Sequence, residues 1–342
     1  MTPETLRRVA AALMGQAGLR GEMKIESLAG GANNQVFRLS AGGLSALLKA
    51  YFQHPDDPRN RLETEYRFLT FAWRSGVHRV PQPLACDPEH RVALYEYVEG
   101  RPIAPGEVSQ GLVRQALDFY HELNGHRREA DAADLPLASE AYFTLAAHLR
   151  GVEERVLRLA KLDAAGDVGR EAARFVGEEL TEAWARVATA TRHGVRQLGL
   201  QLEQEIAPEA RCLSPSDFGF HNAILEPGGR LRFVDFEYAG WDDPAKLVCD
   251  FFCQEAVPVP AAHHEWFAGE VVRDLPAPGA QRERIGLLLP VYRIKWCCIL
   301  LNDFLPLARD RRRFTQSAEG EQARRATQLD KARRALQRAA RT

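Results

Sequence analysis

Apolar residues recur at helical spacing over residues 1–20, and from Ile25 the pattern changes to short β-prone runs punctuated by glycine. Gln35 to Leu39 reads as a strand, Gly42-Gly43 as its turn, and Leu44 to Ala50 as the returning strand with Lys49 near its end. A helical period resumes over Arg61 to Ser75, where Leu62, Leu69 and Trp73 share a face and Gly76 is placed to stop it. Val92 to Val98 reads as another strand, and Glu99-Gly100-Arg101-Pro102 as a polar connection. The order is strand, strand, helix, strand.

From Val108 to Pro208 the chain is rich in Ala, Leu, Glu and Arg with few β-branched runs, which predicts several helices. Leu213 to Asn222 reads as a loop, and Ala223–Leu225 with Leu231–Asp235 as a short hairpin about Glu226-Pro227-Gly228-Gly229. The remainder is expected to be helical, interrupted at Pro290.

A chain of 342 residues with 45% hydrophobic and 27% charged residues can bury a core and is too long for one small module, so about two lobes are expected. Its net charge of −1 removes any global argument for nucleic acid or acidic lipid as partner. The apolar stretches Ile285–Tyr292 and Trp296–Leu301 are separated by Arg293 and Lys295 and fall short of the ~20 residues of a bilayer span, so no membrane helix is expected. Arg7, Arg8 and Arg20 break up the first twenty residues, which lack the apolar run of a signal peptide, and a cytoplasmic location is expected. The six cysteines show no Cys-x-x-Cys spacing and read as buried free thiols; Cys249 and Cys253 lie one helical turn apart but lack two further metal ligands. Residues 309–342 hold eleven Arg or Lys against four Asp or Glu and read as a solvated basic helix.

Chemistry concentrates at Asp217, Asn222 and Asp235, which the turn between the two short strands can bring together. An amide and a carboxylate oxygen suit a hard ion such as magnesium, which keeps positions for water and phosphate oxygens. A second carboxylate beside them can accept a proton, and phosphoryl transfer asks for little more than these parts. Gly30-Gly31 can approach phosphates because no side chain intervenes, and Lys49 can place its ammonium on phosphate oxygens. Glu65 falls between Leu62 and Leu69 on the apolar face of its helix, where it needs a cation, and Lys49 is the candidate. Glu63 and Arg67 satisfy each other on a more polar face, so Glu65 is chosen over Glu63.

This ordered set resembles the aminoglycoside phosphotransferase and choline kinase group of protein-kinase-like small-molecule kinases over about residues 23–253. The resemblance implies an α+β, two-lobed protein-kinase-like fold, with a β-rich N-lobe over 1–99 and a mainly helical C-lobe over 100–342. It also implies ATP and Mg2+ as cofactors and a small-molecule hydroxyl compound as substrate. By the same resemblance Gly30, Gly31 and Asn34 lie in the nucleotide loop, Lys49 is the phosphate-binding lysine, and Glu65 is its helix partner. In Leu94-Tyr95-Glu96-Tyr97-Val98-Glu99-Gly100 the backbone of Glu96 and Val98 would meet adenine. Asp217 would be the catalytic base, with Asn222 and Asp235 holding the metal.

The chain departs from the group in two places. Pro215-Ser216-Asp217 stands where the group has His-Gly-Asp, which removes the histidine under the loop, and His221 is not expected to replace it. Asp243-Pro244 is followed by Asp250-Phe251 at longer spacing than usual, with Asp250 a candidate brace for the loop. Glu237, Asp242 and Asp243 form either a solvated loop or a lure for a cationic substrate. Arg293 and Asp303 flank Trp296–Leu301 as possible substrate contacts, although core packing is the preferred reading there. A nucleotide-binding scaffold without activity is the alternative function. A protein kinase is disfavoured because no long segment ending in Ala-Pro-Glu follows Asp235.

Overall fold

The computed structural model describes residues 2–28, 34–55, 57, 59–306 and 320–339, so Gly30 and Gly31 lie outside the described residues. Five strands, β1 (Lys24–Leu28), β2 (Asn34–Ala41), β3 (Leu44–Tyr51), β4 (Pro83–Asp87) and β5 (Val92–Glu96), form one antiparallel sheet in the order β1-β2-β3-β5-β4. Ala41 pairs with Leu44, so Gly42 and Gly43 alone make the turn, at φ +57° and +82°, a left-handed pair that glycine adopts without strain.

Side-chain alternation on β3 divides the sheet's two faces. Ala46, Leu48 and Ala50 join Leu39, Val92 and Leu94 on one face, which the helix α1 (Pro3–Gln16) covers with Val9, Ala10, Leu13 and Met14. Burying each of the three larger side chains contributes roughly 1.5–3 kcal/mol. Leu47, Lys49 and Tyr51 face the other way, where α2 (Arg61–Arg74) packs with Leu62, Phe68, Leu69 and Ala72. Asn60 caps α2 at the Glu63 amide. At its other end Gly76, at φ +83°, lets the Val77 amide bond the Ala72 carbonyl and stops the helix as expected.

Past β5 the chain enters its helical part. The connection read as merely polar contains β6 (Arg101–Pro102), which pairs with β8 (Ala223–Leu225), itself paired with β9 (Leu231–Phe233). The segment read as a loop begins with β7 (Cys212–Ser214), paired with β10 (Gly240–Asp242). Helices α3 (Gln110–Gly125), α4 (Ala130–Ala133), α5 (Leu145–Leu159), α6 (Gly166–Arg174) and α7 (Thr181–Gln197) fill the expected helical region, α6 running into α7 through one π-helical stretch, Phe175–Leu180. Then come α8 (Pro244–Cys253), α9 (His264–Val272), α10 (Pro278–Leu300) and α11 (Glu321–Ala339).

Pro290 does not interrupt α10, which runs through it. Packing on α5, α7, α8 and α11 outweighs the lost hydrogen bond, because tertiary contacts supply most of a helix's stability in a folded protein. Pro278–Phe304 is long and apolar enough to cross a membrane by length and composition, contrary to the reading of its sequence. It lies in the core, however, with Ile285, Leu288, Val291 and Ile294 buried and Lys295 paired to Asp250. The basic α11 is likewise no free solvated helix: Leu329, Ala332, Ala335 and Leu336 are buried in the same core. The six cysteines are free thiols, all buried except the half-buried Cys86.

Candidate active site

Lys49 sits on β3, the strand between β2 and β5, and is 5% exposed. Its Nζ lies 2.7 Å from Glu65 Oε2 and 2.5 Å from Asp235 Oδ1. The remaining acceptor capacity of Glu65 is also met: the Tyr51 hydroxyl donates to Oε2 at 2.8 Å and the Phe236 amide to Oε1 at 3.1 Å. A buried carboxylate is tolerated on an apolar helix face only with such partners. Burial alone would lower the Lys49 ammonium, but Asp235, Glu65 and Glu237 outweigh it and hold it well above its ordinary value. Burial, assisted by Glu237 and Glu65, pushes Asp235 up to about 7 against the pull of Lys49.

The base candidate lies on the stretch after β7. Asn124 of α3 pins β7 by bonding both the amide and the carbonyl of Leu213, at 2.8 and 3.0 Å. Asn222 Nδ2 donates to the Asp217 carbonyl at 3.0 Å and to Asp217 Oδ2 at 3.2 Å, which leaves the Asn222 side-chain oxygen as an acceptor. The Val234 amide bonds the Asn222 carbonyl at 2.9 Å, so Asn222 and Asp235 stand side by side. His221 Nε2 is 3.1 Å from Asp217 Oδ1. Burial would raise Asp217, but the charge and hydrogen bond of His221, with Asn222 and Lys295, hold it below the ordinary carboxylate value. Burial would lower His221, and Asp217, Asp235 and Asp250 raise it instead.

The acidic residues after Asp235 form no solvated loop. Glu237, Asp242, Asp243 and Asp250 are all at most 2% exposed. Glu237 accepts from Asn34 Nδ2 at 2.6 Å and faces Arg61 Nε at 3.7 Å. Asp242 accepts from Lys246 at 2.5 Å, and Asp243 is paired with Arg284 and His148. Asp250 accepts from Lys295 at 2.9 Å and from Trp296 Nε1 at 2.8 Å, and it faces Lys246, which bonds Ser216 of the loop, at 3.9 Å. Asp303 is held by Arg324 of α11. Internal cations thus account for the carboxylates that the sequence offered to a cationic substrate.

Asn34, expected near nucleotide, is buried at the start of β2 with its amide nitrogen given to Glu237 and its Oδ1 without a hydrogen-bond partner among the described residues. Glu96 ends β5, where its amide bonds the Gln82 carbonyl and its carboxylate meets Arg232 at 2.6 Å; Val98 lies just beyond the strand. Sequence reasoning named Glu237 for a loop or a cationic lure and not for its place within 4.8 Å of the carboxylates of Glu65 and Asp235, and it missed Lys246. The spacing Asp242-x3-Lys246-x3-Asp250 was the available signal for Lys246.

The fold has solved counterparts at low sequence identity. The choline kinase LicA of Streptococcus pneumoniae matches at TM-score 0.59 and 15% identity, over 98% of this chain and 99% of that one. An ethanolamine kinase of Plasmodium vivax matches at TM-score 0.57 and 13% identity, over 97% and 89%. A spectinomycin phosphotransferase, in complex with ADP and spectinomycin, matches at TM-score 0.56 and 11% identity, over 97% and 98%. These likenesses establish the two-part α+β, kinase-like fold. No curated protein matches in sequence. The phosphotransferase enzyme family matches residues 24–253, and the chain belongs to that family.

Proposed function

We propose that the protein is an ATP-dependent small-molecule kinase that moves the γ-phosphoryl group of ATP to a hydroxyl group. The observation that carries this reading is the convergence of Lys49, Glu65 and Asp235 beside the Asp217–Asn222 pair. Residues 1–99 would form the nucleotide lobe, with Gly30, Gly31 and Asn34 near the phosphates and the backbone of Glu96 and Val98 at adenine. Residues 100–342 would carry the base, the metal ligands and the acceptor pocket.

Lys49 would bind phosphate oxygens, kept in place by Glu65 and kept charged by its carboxylate neighbours. Asp217 would orient the acceptor hydroxyl and take its proton as the new O–P bond forms and the γ-phosphoryl leaves ADP. A depressed carboxylate suits orientation first and proton acceptance late, which a loose phosphoryl transition state permits. His221 and Asn222 would hold the two Asp217 oxygens. The donor set fits a hard divalent cation: Asp235 and Glu237 place carboxylate oxygens within 4.8 Å of each other, and the Asn222 side-chain oxygen is left as an acceptor. Asn222 and Asp235 would hold Mg2+, which supplies neutralisation of phosphate charge when bound. A solved counterpart in complex with ADP and spectinomycin, and others that are choline or ethanolamine kinases, make an amino-alcohol, sugar or aminoglycoside acceptor the class to screen.

Thermal melting with and without Mg2+-ATP tests the nucleotide site, because a ligand at 100 times its dissociation constant adds about 2.7 kcal/mol. The wild type should melt at higher temperature with Mg2+-ATP, and Asp235→Ala should lose that shift. A wild type with no shift overturns the proposal.

A further inference from the structure

Ser216 occupies a conformation few side chains accept. Its φ is +65°, and the Asp217 amide bonds back to the Pro215 carbonyl at 2.9 Å. Ser216 is therefore the central residue of a three-residue turn with positive φ, a rare and strained form. The family pattern has glycine here, and this chain does not. Such strain persists only where the surroundings over-determine it.

The surroundings do so through a buried lysine. Lys246 of α8 is 1% exposed and donates to Ser216 Oγ at 2.9 Å. The same Nζ is fixed by Asp242 at 2.5 Å and faces Asp250 Oδ2 at 3.9 Å. Ser216 Oγ donates in turn to the Ser139 carbonyl at 3.2 Å, and the Ser214 hydroxyl accepts from the Ser216 amide at 2.9 Å. The amide and the hydroxyl of Ser216 are thus anchored to β7, to α8 and to the 139 segment, and β10 holds the lysine through Asp242.

We infer that Lys246 and Ser216 form a strut that sets the direction of Asp217, in the place where the family uses a loop histidine. Both are positioning residues. The lysine touches neither Asp217 nor the cation site, and it acts by holding the Ser216 hydroxyl, which fixes the turn and hence the Asp217 carboxylate. The inference rests on the assignment of Asp217 as the base, and the experiment separates the two.

Slow ADP formation with water as acceptor, and transfer to choline, ethanolamine and spectinomycin, would be followed for wild type, Ser216→Gly, Ser216→Asn, Lys246→Met, Ser216→Gly/Lys246→Met and Asp217→Asn. Ser216→Gly removes the anchor while relieving the backbone, so it should fold well and lose about 10- to 100-fold in kcat with KM for ATP within about twofold. Ser216→Asn tolerates the left-handed conformation and offers Lys246 an acceptor, so it should recover most of that loss. The double variant should be no slower than the slower single one, because both remove the same strut. Hydrogen exchange at the Asp217 amide gives a readout without turnover and should quicken at least tenfold in Ser216→Gly. Wild-type exchange and wild-type kcat in Ser216→Gly, with Asp217→Asn inactive, overturn the strut and leave the base standing. An Asp217→Asn protein as fast as wild type overturns both. Should Lys246→Met not fold, the Ser216 variants still decide, since they leave the lysine and its carboxylates in place.

Discussion

Lys49 and Asp235 are 186 positions apart in the chain, and their side chains meet at 2.5 Å, Nζ to Oδ1, across the junction between the sheet and the helical part. Asp235 reaches the lysine from a left-handed backbone, φ +68°. One ammonium therefore stands among three carboxylates, those of Glu65, Asp235 and Glu237. The local excess of negative charge explains both the firmly charged lysine and the raised Asp235. It also gives the site a reason to take a divalent cation.

Replacing Lys49 by Met should leave Glu65 and Asp235 without their cation, at a cost on the order of 3–5 kcal/mol. The loss should depend on pH in a definite sense. Carboxylates whose folded pKa rises above the unfolded value hold protons more tightly when folded, so the cost is absent at low pH and grows as pH rises toward the folded value. Since Asp235 already stands near 7 with the lysine present, urea midpoints should fall more at pH 8 than at pH 5.5. An equal fall at both would contradict the assignment of Lys49 as the partner of these carboxylates.

Glu65 and Glu63 lie two residues apart on α2 and should behave oppositely. Glu65→Gln weakens a buried charge-assisted set of bonds from Lys49, Tyr51 and the Phe236 amide, and should cost about 1–3 kcal/mol in chemical denaturation. Glu63 is exposed, with Arg67 at 3.4 Å, so Glu63→Gln should stay within about 0.5 kcal/mol. Comparable losses would mean that burial on the helix face is not what sets the role of Glu65.

That contrast was legible from the sequence, because the position of Glu65 between Leu62 and Leu69 forces a buried partner whatever the rest of the fold does. The β2–β3 hairpin was legible for the same local reason, two glycines able to take φ +57° and +82° between apolar runs. Strands such as β6 and β7 were not, since two or three residues carry no periodicity and their pairing with β8 and β10 spans more than a hundred residues in one case. Pro290 misled because its local rule is real and tertiary packing overrides it. The acidic run after Asp235 misled because composition cannot reveal that Arg61, Lys246, Arg284 and Lys295 are folded back onto it from three helices. His221 was set aside on the family pattern alone, and only the loop's geometry places its Nε2 on Asp217.

The basic C-terminal helix should prove structural. Leu329 is 2% exposed in the main core, so Leu329→Ala should cost about 2–5 kcal/mol. Its arginines meet acids on other elements, Arg324 with Asp303 and Arg338 with Glu255. A helix held only by charge would respond to 1 M salt more than to Leu329→Ala, and melting under both conditions separates the cases.

Acid should dismantle the molecule partly at Asp243. Its carboxylate is fully buried between His148, Arg284 and the Ala245 amide. Burial would raise it, but the hydrogen bond from His148 and the charge of Arg284 hold it at about 2, below its ordinary 3.8. A depressed carboxylate contributes stability that is fully present above the unfolded value and is lost as pH falls through the folded one, here between about 4 and 2. His148 works in a higher window: burial holds it below its ordinary 6.5, so the unfolded chain takes up a proton first and stability starts to fall beneath that pH. Asp243→Asn should therefore be less stable than wild type by about 3–5 kcal/mol at pH 7, and the gap should narrow by about 2 kcal/mol as pH drops from 4 to 2. Urea midpoints of the two proteins across pH 2–7 check this, and a gap that stays constant down to pH 2 would remove Asp243 from the account.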